Sequence, residues 1–487
     1  MSANSKTDKI SFLLGKEKKT ITIDGKNLSP TTTLLRYLRE TECMTGTKEG
    51  CAEGDCGACT VVMAETHDGR LKYSAIDSCL VFLPMMHGKQ IITVEHLEDG
   101  EMHPIQKSMV EENGSQCGYC TPGIVMSLFG LYKNCNNPDT AEIKDSLTGN
   151  LCRCTGYRPI VEAAAKACVQ KGKDHFSESE KDMSQMLLAL RAEHPDVIIE
   201  TSSQRYFQPN NIQDALKWRA DNQEGIIISS ATDTALRVTK KHELLSSILD
   251  LSAIKELKEL SISSAEIKIG SGLNLEDLRV GIKEKLPALY DILSVFGSRQ
   301  IRMLATLGGN LGSASPIGDT LPVLMAYNAS VILESLSGKR EVSMNEFIVS
   351  YRKTVIRPDE IISGVRIPIP GKNEIIWSHK VSKRKDLDIA TVNAGFNLKI
   401  ENGFISSAIL AFGGMAAKTM RAAAAEEFLQ GKEWTASNAE QAGELVYSFF
   451  IPISDARSGD EFRRLAARNL LTKFHFHSEE LKTKSGQ

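Results

Sequence analysis

Cysteine placement constrains this chain more than any other feature. All eleven cysteines lie between Cys43 and Cys168 of a 487-residue sequence, and eight of them fall into two groups. The first group is Cys51-x4-Cys56-x2-Cys59, within "EGCAEGDCGACT", with Cys79 further on. The second joins Cys117 and Cys120 of "GSQCGYCTPG" to Cys152 and Cys154 of "TGNLCRCTGYRP". The odd total, the chain's size and an N-terminal apolar stretch of only five residues do not suit a secreted disulfide framework or a signal peptide. Thiols clustered at short spacing read as metal ligands.

The x4, x2 spacing with a distant fourth cysteine is the plant-type pattern for a [2Fe–2S] cluster. Gly50, Gly54 and Gly57 let backbone N–H groups approach the sulfurs and accept positive φ. Zinc prefers paired knuckles, so the compact triple suits it poorly. The second group's C-x2-C and C-x-C pairs, taken alone, suit zinc and an iron–sulfur cluster equally. Cys168 shares a helical face with Val161, Ala164 and Ala165 and reads as core packing. Cys43 and Cys135 have no motif partner and receive no role.

The chain reads as multidomain α+β. Residues 9–97 form a small α+β unit: a strand into an Asp24-Gly25 turn, a helix with Leu34, Leu35 and Leu38 on one face, the cysteine loop, then three strand-like runs. Residues 98–172 are helical, with Ile124, Val125, Leu128, Phe129 and Tyr132 at helix spacing and a last helix over 159–172. Residues 173–205 are polar and read as a linker, helical in part at "MSQMLLALRAE". Residues 206–375 are mixed α/β, and 376–480 α+β with an Asn402-Gly403 turn.

No G-x-G-x-x-G follows a strand, which gives no support to a Rossmann dinucleotide site. Residues 226–235, "IIISSATDTA", run from a strand through small and hydroxyl residues into a helix. Residues 306–319, "TLGGNLGSASPIGD", offer a second small-residue loop. Each could turn backbone N–H groups toward a phosphate. Such loops are more often tight packing turns.

The two cysteine motifs resemble the ferredoxin-like and helical [2Fe–2S] domains of the molybdenum hydroxylases, the family of xanthine dehydrogenases and aldehyde oxidases. "SRQIRMLATLGGNLGSASPIGD" and "YRKTVIRPDEIISGVRIP" look like that family's FAD domain, and "AFGGMAAKTMRA" with "DEFRRLAARNLL" like the domain that completes it. The resemblance implies a β-grasp ferredoxin-like domain, a four-helix [2Fe–2S] domain, a two-part FAD-binding domain of the vanillyl-alcohol-oxidase (PCMH) type, and a C-terminal α+β flavoprotein domain. It implies two [2Fe–2S] clusters, one on Cys51, Cys56, Cys59 and Cys79, the other on Cys117, Cys120, Cys152 and Cys154. FAD contacts carried over are Ile226, Ile227, Ile228, Ser229, Ser230, Ala231, Thr232 and Asp233, then Thr306, Leu307, Gly308, Gly309 and Asn310. Phe296 would pack beside the isoalloxazine, with Asp319, Ile362 and Lys380 around the ring or adenine. One departure stands out: relatives carry glycines where this loop has Ser230-Ala231, so a positive φ at Ser230 would strain it.

The family's molybdopterin-binding half is missing from these residues. That implies an electron-transfer subunit, like the small subunit of bacterial two-subunit xanthine dehydrogenases, beside a large molybdopterin-binding subunit in a dimer of heterodimers. Hypoxanthine or xanthine would be oxidised toward urate on the large subunit. Electrons would pass through the two clusters to FAD and on to NAD⁺, with no catalytic side chain on this chain. The alternatives are the equivalent subunit of an aldehyde or other N-heterocycle oxidoreductase, and a molybdenum-free NADH:acceptor reductase. Basic and acidic residues nearly balance, 58 against 61, so nothing argues for nucleic acid or an anionic membrane as partner. A cytoplasmic location is the expectation.

Overall fold

A computed structural model describes residues 8–169 and 171–485; Gln170, inside the expected helix 159–172, lies outside the described residues. The chain forms two compact units. The first runs up to Lys255 and adds Ser298–Ala305; the second comprises Glu256–Gly297 and the chain from Thr306 onward.

The first unit opens with β1 (Lys9–Leu14), β2 (Glu17–Thr22), α1 (Leu34–Glu40), β3 (Thr60–His67), β4 (Arg70–Asp77) and β5 (Gln90–Ile92). The strands order as β2-β1-β5-β3-β4, with β1 and β5 parallel and the other pairs antiparallel. Alternation assigns the faces. Ile10, Phe12, Val61 and Met63 enter one core with Leu34, Leu35 and Leu38 of α1. Leu13, Val62 and Ala64, on the opposite face of the same strands, enter a second core. That core is filled from α2 (Pro104–Glu111), α3 (Thr121–Asn134), α4 (Thr140–Ser146), α5 (Arg158–Val169) and α6 (His175–Glu193). Each large apolar side chain buried in this way contributes about 1.5–3 kcal/mol. Cys168 is buried in the second core, as its helical face predicts.

The expected linker departs from its reading. Residues 175–193 are one continuous helix, α6, whose Phe176, Met183, Leu187 and Leu190 are buried. Asp174 caps it by accepting the Ser177 N–H at 2.7 Å. Its second half, "MSQMLLALRAE", is the part expected to be helical; the first half buries only Phe176 among polar residues, so composition hid it.

The unit continues with β6 (Val197–Glu200), β7 (Arg205–Gln208), α7 (Ile212–Asp221), β8 (Ile226–Ile228), α8 (Ala235–Thr239) and β9 (Ser247–Asp250). They form a sheet ordered β6-β7-β9-β8, with β7, β9 and β8 parallel. α8 packs on the Ser78–Leu80 turn that carries Cys79.

The second unit begins with β10 (Leu260–Ile262), β11 (Glu266–Gly270), α9 (Leu275–Ile282) and α10 (Pro287–Ser294). The short helix α11 (Arg299–Arg302) belongs to the first unit. The chain then gives the second unit α12 (Leu307–Ser313), α13 (Thr320–Ala326), β12 (Ser330–Ser335), β13 (Gly338–Ser343), α14 (Met344–Phe347), β14 (Ile348–Ser350), β15 (Lys353–Thr354) and β16 (Ile361–Pro368). Strands β10-β11-β16-β12-β13 make one antiparallel sheet. β17 (Glu374–Val381), β18 (Val392–Glu401), β19 (Phe404–Gly413) and β20 (Met420–Arg421) make another. β18 and β19 meet at Asn402-Gly403, both at positive φ, as the dipeptide predicts. α15 (Ala423–Leu429), α16 (Ala436–Phe449) and α17 (Asp460–Ser485) close the chain, and Trp377, Phe396, Phe412, Trp434 and Phe474 share their core. Among the described residues no helix is long and apolar enough to cross a membrane.

Candidate functional site

The first cysteine group sits in the loop between α1 and β3, with Cys79 on the turn after β4. Cys59 and Cys79 are buried and their sulfurs stand 3.4 Å apart. Cys51 and Cys56 are half-buried and hydrogen-bond to each other. Backbone N–H groups surround the sulfurs. Those of Glu53 and Asp55 donate to Cys51 Sγ at 3.4 and 3.3 Å, and those of Ala58 and Gly54 to Cys56 and Cys79. The Cys56 thiol and the amides of Glu53, Asp55 and Cys56 hold the Cys51 thiol down to about 6 against its partial burial. Burial and the neighbouring Cys51 push Asp77's carboxyl up to about 8. Its Oδ1 lies 3.9 Å from Cys59 Sγ, and its Oδ2 is buried without a partner among the described residues.

The second group brackets α3. Cys117 and Cys120 precede it, and Cys152 and Cys154 lie between α4 and α5. Cys117 hydrogen-bonds Cys154, and Cys120 hydrogen-bonds Cys152. Cys152 is buried, Cys120 half-buried, and Cys117 and Cys154 are exposed. Burial pushes the Cys120 thiol up to about 12, while Thr155 Oγ1 meets Cys152 Sγ at 3.1 Å. The thiols thus gather two by two in both groups. Among the described residues no three His, Cys, Asp or Glu side chains stand together as a ligand set for one ion. A two-iron cluster needs one thiol pair for each iron, and amide-lined pairs of thiols fit that need.

The two groups meet along a hydrogen-bonded seam. The Leu151 N–H donates to Cys56 O at 3.0 Å, and Asn150 Nδ2 donates to Gly57 O at 3.0 Å. The approach needs residues without side chains. A Cβ on Gly123, at the start of α3, would stand 2.2 Å from Gly57 O, and one on Gly57 would stand 2.3 Å from Gly149 O. Gly57 also has φ +66°. On its far side the first loop is held by Lys240, whose Nζ donates to Cys51 O at 3.1 Å and pairs with Glu53 at 3.5 Å.

The loop after β8 lies in the first unit. Ile228 and Ala231 belong to the same core as Cys59 and Cys79. The strain expected at Ser230 falls one residue later: Ala231 holds φ +67°. This non-glycine left-handed residue costs roughly 1–2 kcal/mol, and burial holds it in place. Ser229 Oγ is buried without a partner among the described atoms, while Asp233 is exposed. A strand end with positive φ and an orphaned hydroxyl fits a phosphate-bearing group such as FAD.

The other candidate flavin residues lie in the second unit. The expected loop at 306–319 contains a helix, α12, whose cap Thr306 accepts the Gly309 N–H at 3.1 Å. Leu307 points into the core, leaving Gly308, Gly309 and Gly312 along the more accessible side. Thr320 Oγ1 donates to Asn310 Oδ1 at 2.6 Å. Asp319 and Lys380 form a buried pair at 2.7 Å, and Lys380 also donates to Val295 O at 3.0 Å, beside half-buried Phe296. Burial pushes Asp319's carboxyl up against the pull of Lys380. Ile362, on β16, is buried at the edge of α12.

Comparison with known proteins follows the same order along the chain. Residues 93–165 match the [2Fe-2S] binding domain family. Residues 200–370 match the FAD binding domain in molybdopterin dehydrogenase, and 377–477 the CO dehydrogenase flavoprotein C-terminal domain. The chain belongs to the molybdenum hydroxylase family. Among its relatives, the xanthine dehydrogenase of Emericella nidulans is 34% identical over 486 residues, covering 88% of this chain and 35% of the relative. That of Calliphora vicina is 32% identical over 522 residues, covering 94% and 38%. This molybdenum hydroxylase chain therefore spans little more than a third of the curated relatives it matches. A solved carbon monoxide dehydrogenase from Hydrogenophaga pseudoflava shares the fold of part of it: TM-score 0.53, 20% identity, 55% of this chain and 94% of that chain.

Sequence reasoning missed Asp77, Ser127, Asn150, Lys240 and Gln300. Asp77 had a signal, an acid two residues before Cys79, and Asn150 stands two before Cys152. Gln300 had none, since its partners lie some 150 positions away.

Proposed function

We propose that this chain is the electron-transfer portion of a xanthine dehydrogenase. It takes electrons from hypoxanthine or xanthine, oxidised at a molybdenum site on a separate large chain, and delivers them to NAD⁺. The observation that carries this reading is the continuity of the first unit. The second cysteine group is hydrogen-bonded to the first through Leu151 and Cys56, and the first shares its core with the loop after β8. Redox centres that exchange electrons must be close and rigidly held.

Cys51 with Cys56 and Cys59 with Cys79 would hold one [2Fe–2S] cluster, and Cys117 with Cys154 and Cys120 with Cys152 the other. Ile226–Asp233 would hold FAD, with Phe296, Thr306–Asn310, Asp319, Ile362 and Lys380 as its further contacts. When bound, the clusters supply one-electron and FAD two-electron chemistry. The chain's residues bind, space and shield. Amides at Cys51, Cys56 and Cys79 offset negative charge on the sulfurs, and burial of Cys59, Cys79 and Cys152 keeps water from them. The same reading gives domains at 9–97, 98–172, 206–375 and 376–480, of β-grasp, four-helix, PCMH and flavoprotein C-terminal type, in an α2β2 assembly in the cytoplasm.

The test is spectroscopic. The purified full chain is expected to hold iron, labile sulfide and FAD, and to show two distinct EPR signals on reduction. Cys59→Ser should abolish one signal and Cys152→Ser the other, and NADH should bleach the flavin absorbance. A chain that shows no iron–sulfur bands, or that loses both signals to either substitution, refutes the cluster assignment. Purification from native cells without a molybdopterin-bearing chain at 1:1 refutes the partner.

A further inference from the structure

The second cysteine group is held in place by a residue far from it in sequence. α11 lies against the turn that leads to Cys152 and Cys154, and it does so through polar groups. Arg302 Nη2 donates to Asp145 Oδ1 at 2.6 Å, and the Arg299 N–H to Thr148 Oγ1 at 2.9 Å. Between them Gln300 is fully buried and uses both ends of its amide. Its Nε2 lies 2.8 Å from Ser146 O, 2.9 Å from Ser127 Oγ and 3.1 Å from Asn150 Oδ1. Its Oε1 accepts the Gly149 N–H at 3.1 Å. Asn150 is the residue that bonds Gly57 O and Thr60 Oγ1 on the other side of the seam.

We propose that Gln300 is a positioning residue that sets the spacing between the two cysteine groups. Its carboxamide fixes the 146–150 turn at both edges, and through Asn150 it fixes how that turn meets the Cys56-Gly57 loop. Asn150 has one carboxamide to align, and Ser127 and Gln300 together saturate its oxygen: Ser127 Oγ donates to the same Oδ1 at 2.6 Å. Without Gln300 that orientation loses a partner, and Gly149, which is buried, loses its acceptor. A mere packing role would need only Gln300's volume. A positioning role needs its polar ends.

The inference rests on the cluster assignment above, and the experiment separates the two. The full chain is prepared as wild type, as Gln300→Met, which keeps the volume, and as Ser127→Ala, which removes one spoke of the network if the first variant fails to fold. Two readouts are taken at full iron occupancy. Hydrogen exchange at Gly149 and Leu151 should accelerate at least about tenfold, while Glu53 and Asp55 stay unchanged. EPR of the reduced chain should show a shifted signal from the Cys117/Cys120/Cys152/Cys154 site and a weaker magnetic interaction between the two clusters. Unchanged exchange at Gly149 and Leu151 overturns the proposal. So does faster exchange with both signals and their interaction as in wild type. A wild-type chain without two cluster signals overturns the cluster assignment instead, and the exchange readout then decides alone whether Gln300 clamps the seam.

Discussion

Replacing Gly57 by alanine measures how tightly the two cysteine loops are pressed together. Two costs add. Gly57 has φ +66°, so any Cβ there carries roughly 1–2 kcal/mol of left-handed strain. The new methyl would also stand 2.3 Å from Gly149 O and 2.6 Å from Asn150 Nδ2. Reaching ordinary contact distance requires the loops to part by about 1 Å. That stretches the Leu151–Cys56 and Asn150–Gly57 hydrogen bonds, each 3.0 Å long and each worth about 1 kcal/mol net. The expected loss is therefore about 3–4 kcal/mol. Gly69 provides the control, because it has φ +78° but nothing within 4 Å of its Cβ position. Gly69→Ala should cost only the conformational part, about 1–2 kcal/mol. Native-state hydrogen exchange of the β3 amides, read on the full chain for both variants, gives the difference directly. If the two substitutions cost the same within about 0.5 kcal/mol, the seam is loose and the reasoning built on it fails.

Asp174→Ala should destabilise the helical part of the first unit by about 3–5 kcal/mol, since it leaves Lys133, whose side chain is 6% exposed, buried without its 2.9 Å partner. Asp174's carboxyl is held well below its usual range, against burial, by His103, Ser177 and Lys133. Its contribution is thus complete above the ordinary carboxylate pKa and drains as pH falls beneath it, so acid unfolding of the variant should be less steep in proton uptake. His87 titrates in a different window. Burial lowers it to about 4 from an ordinary 6.5, and its Nδ1 accepts the Ser11 N–H at 3.1 Å. Its stabilisation is complete above about pH 6.5 and is lost as pH falls toward 4. His87→Gln should flatten that slope in urea unfolding measured between those two pH values.

What the sequence showed most clearly was pattern with a fixed period or a fixed chemistry. The β-branched and apolar runs that include "TVVMA" and "RLKYSAI" anticipated strands, and Asn402-Gly403 anticipated a turn between strands. Small-residue composition was less informative. "TLGGNLGS" reads as a loop from its glycines, but Thr306 caps it into a helix once Leu307 and Leu311 find the core. The polar stretch at 175–182 reads as a linker because it buries only Phe176; its order comes from the Asp174 cap and from continuity with the helix that "MSQMLLALRAE" already suggests. Residues such as Gln300 and Lys240 carry no local mark at all. Their roles exist only where the chain returns to a loop it left long before.

That return is what makes the first cysteine group central. Its loop is held on one side by Lys240, which follows α8, and on the other by Leu151 and Asn150, which precede Cys152. Beneath it, Cys59 and Cys79 lie in the core that also takes Ile228 and Ala231. A group that only stabilised its own small domain would need none of these ties, because β3, β4 and α1 already bury its inner thiols. The ties run toward the second cysteine group and toward the loop after β8. They add rigidity along the direction in which an electron-transfer chain must conserve distance. This supports reading the three segments as one conducting unit, with the Cys51–Cys79 group at its middle.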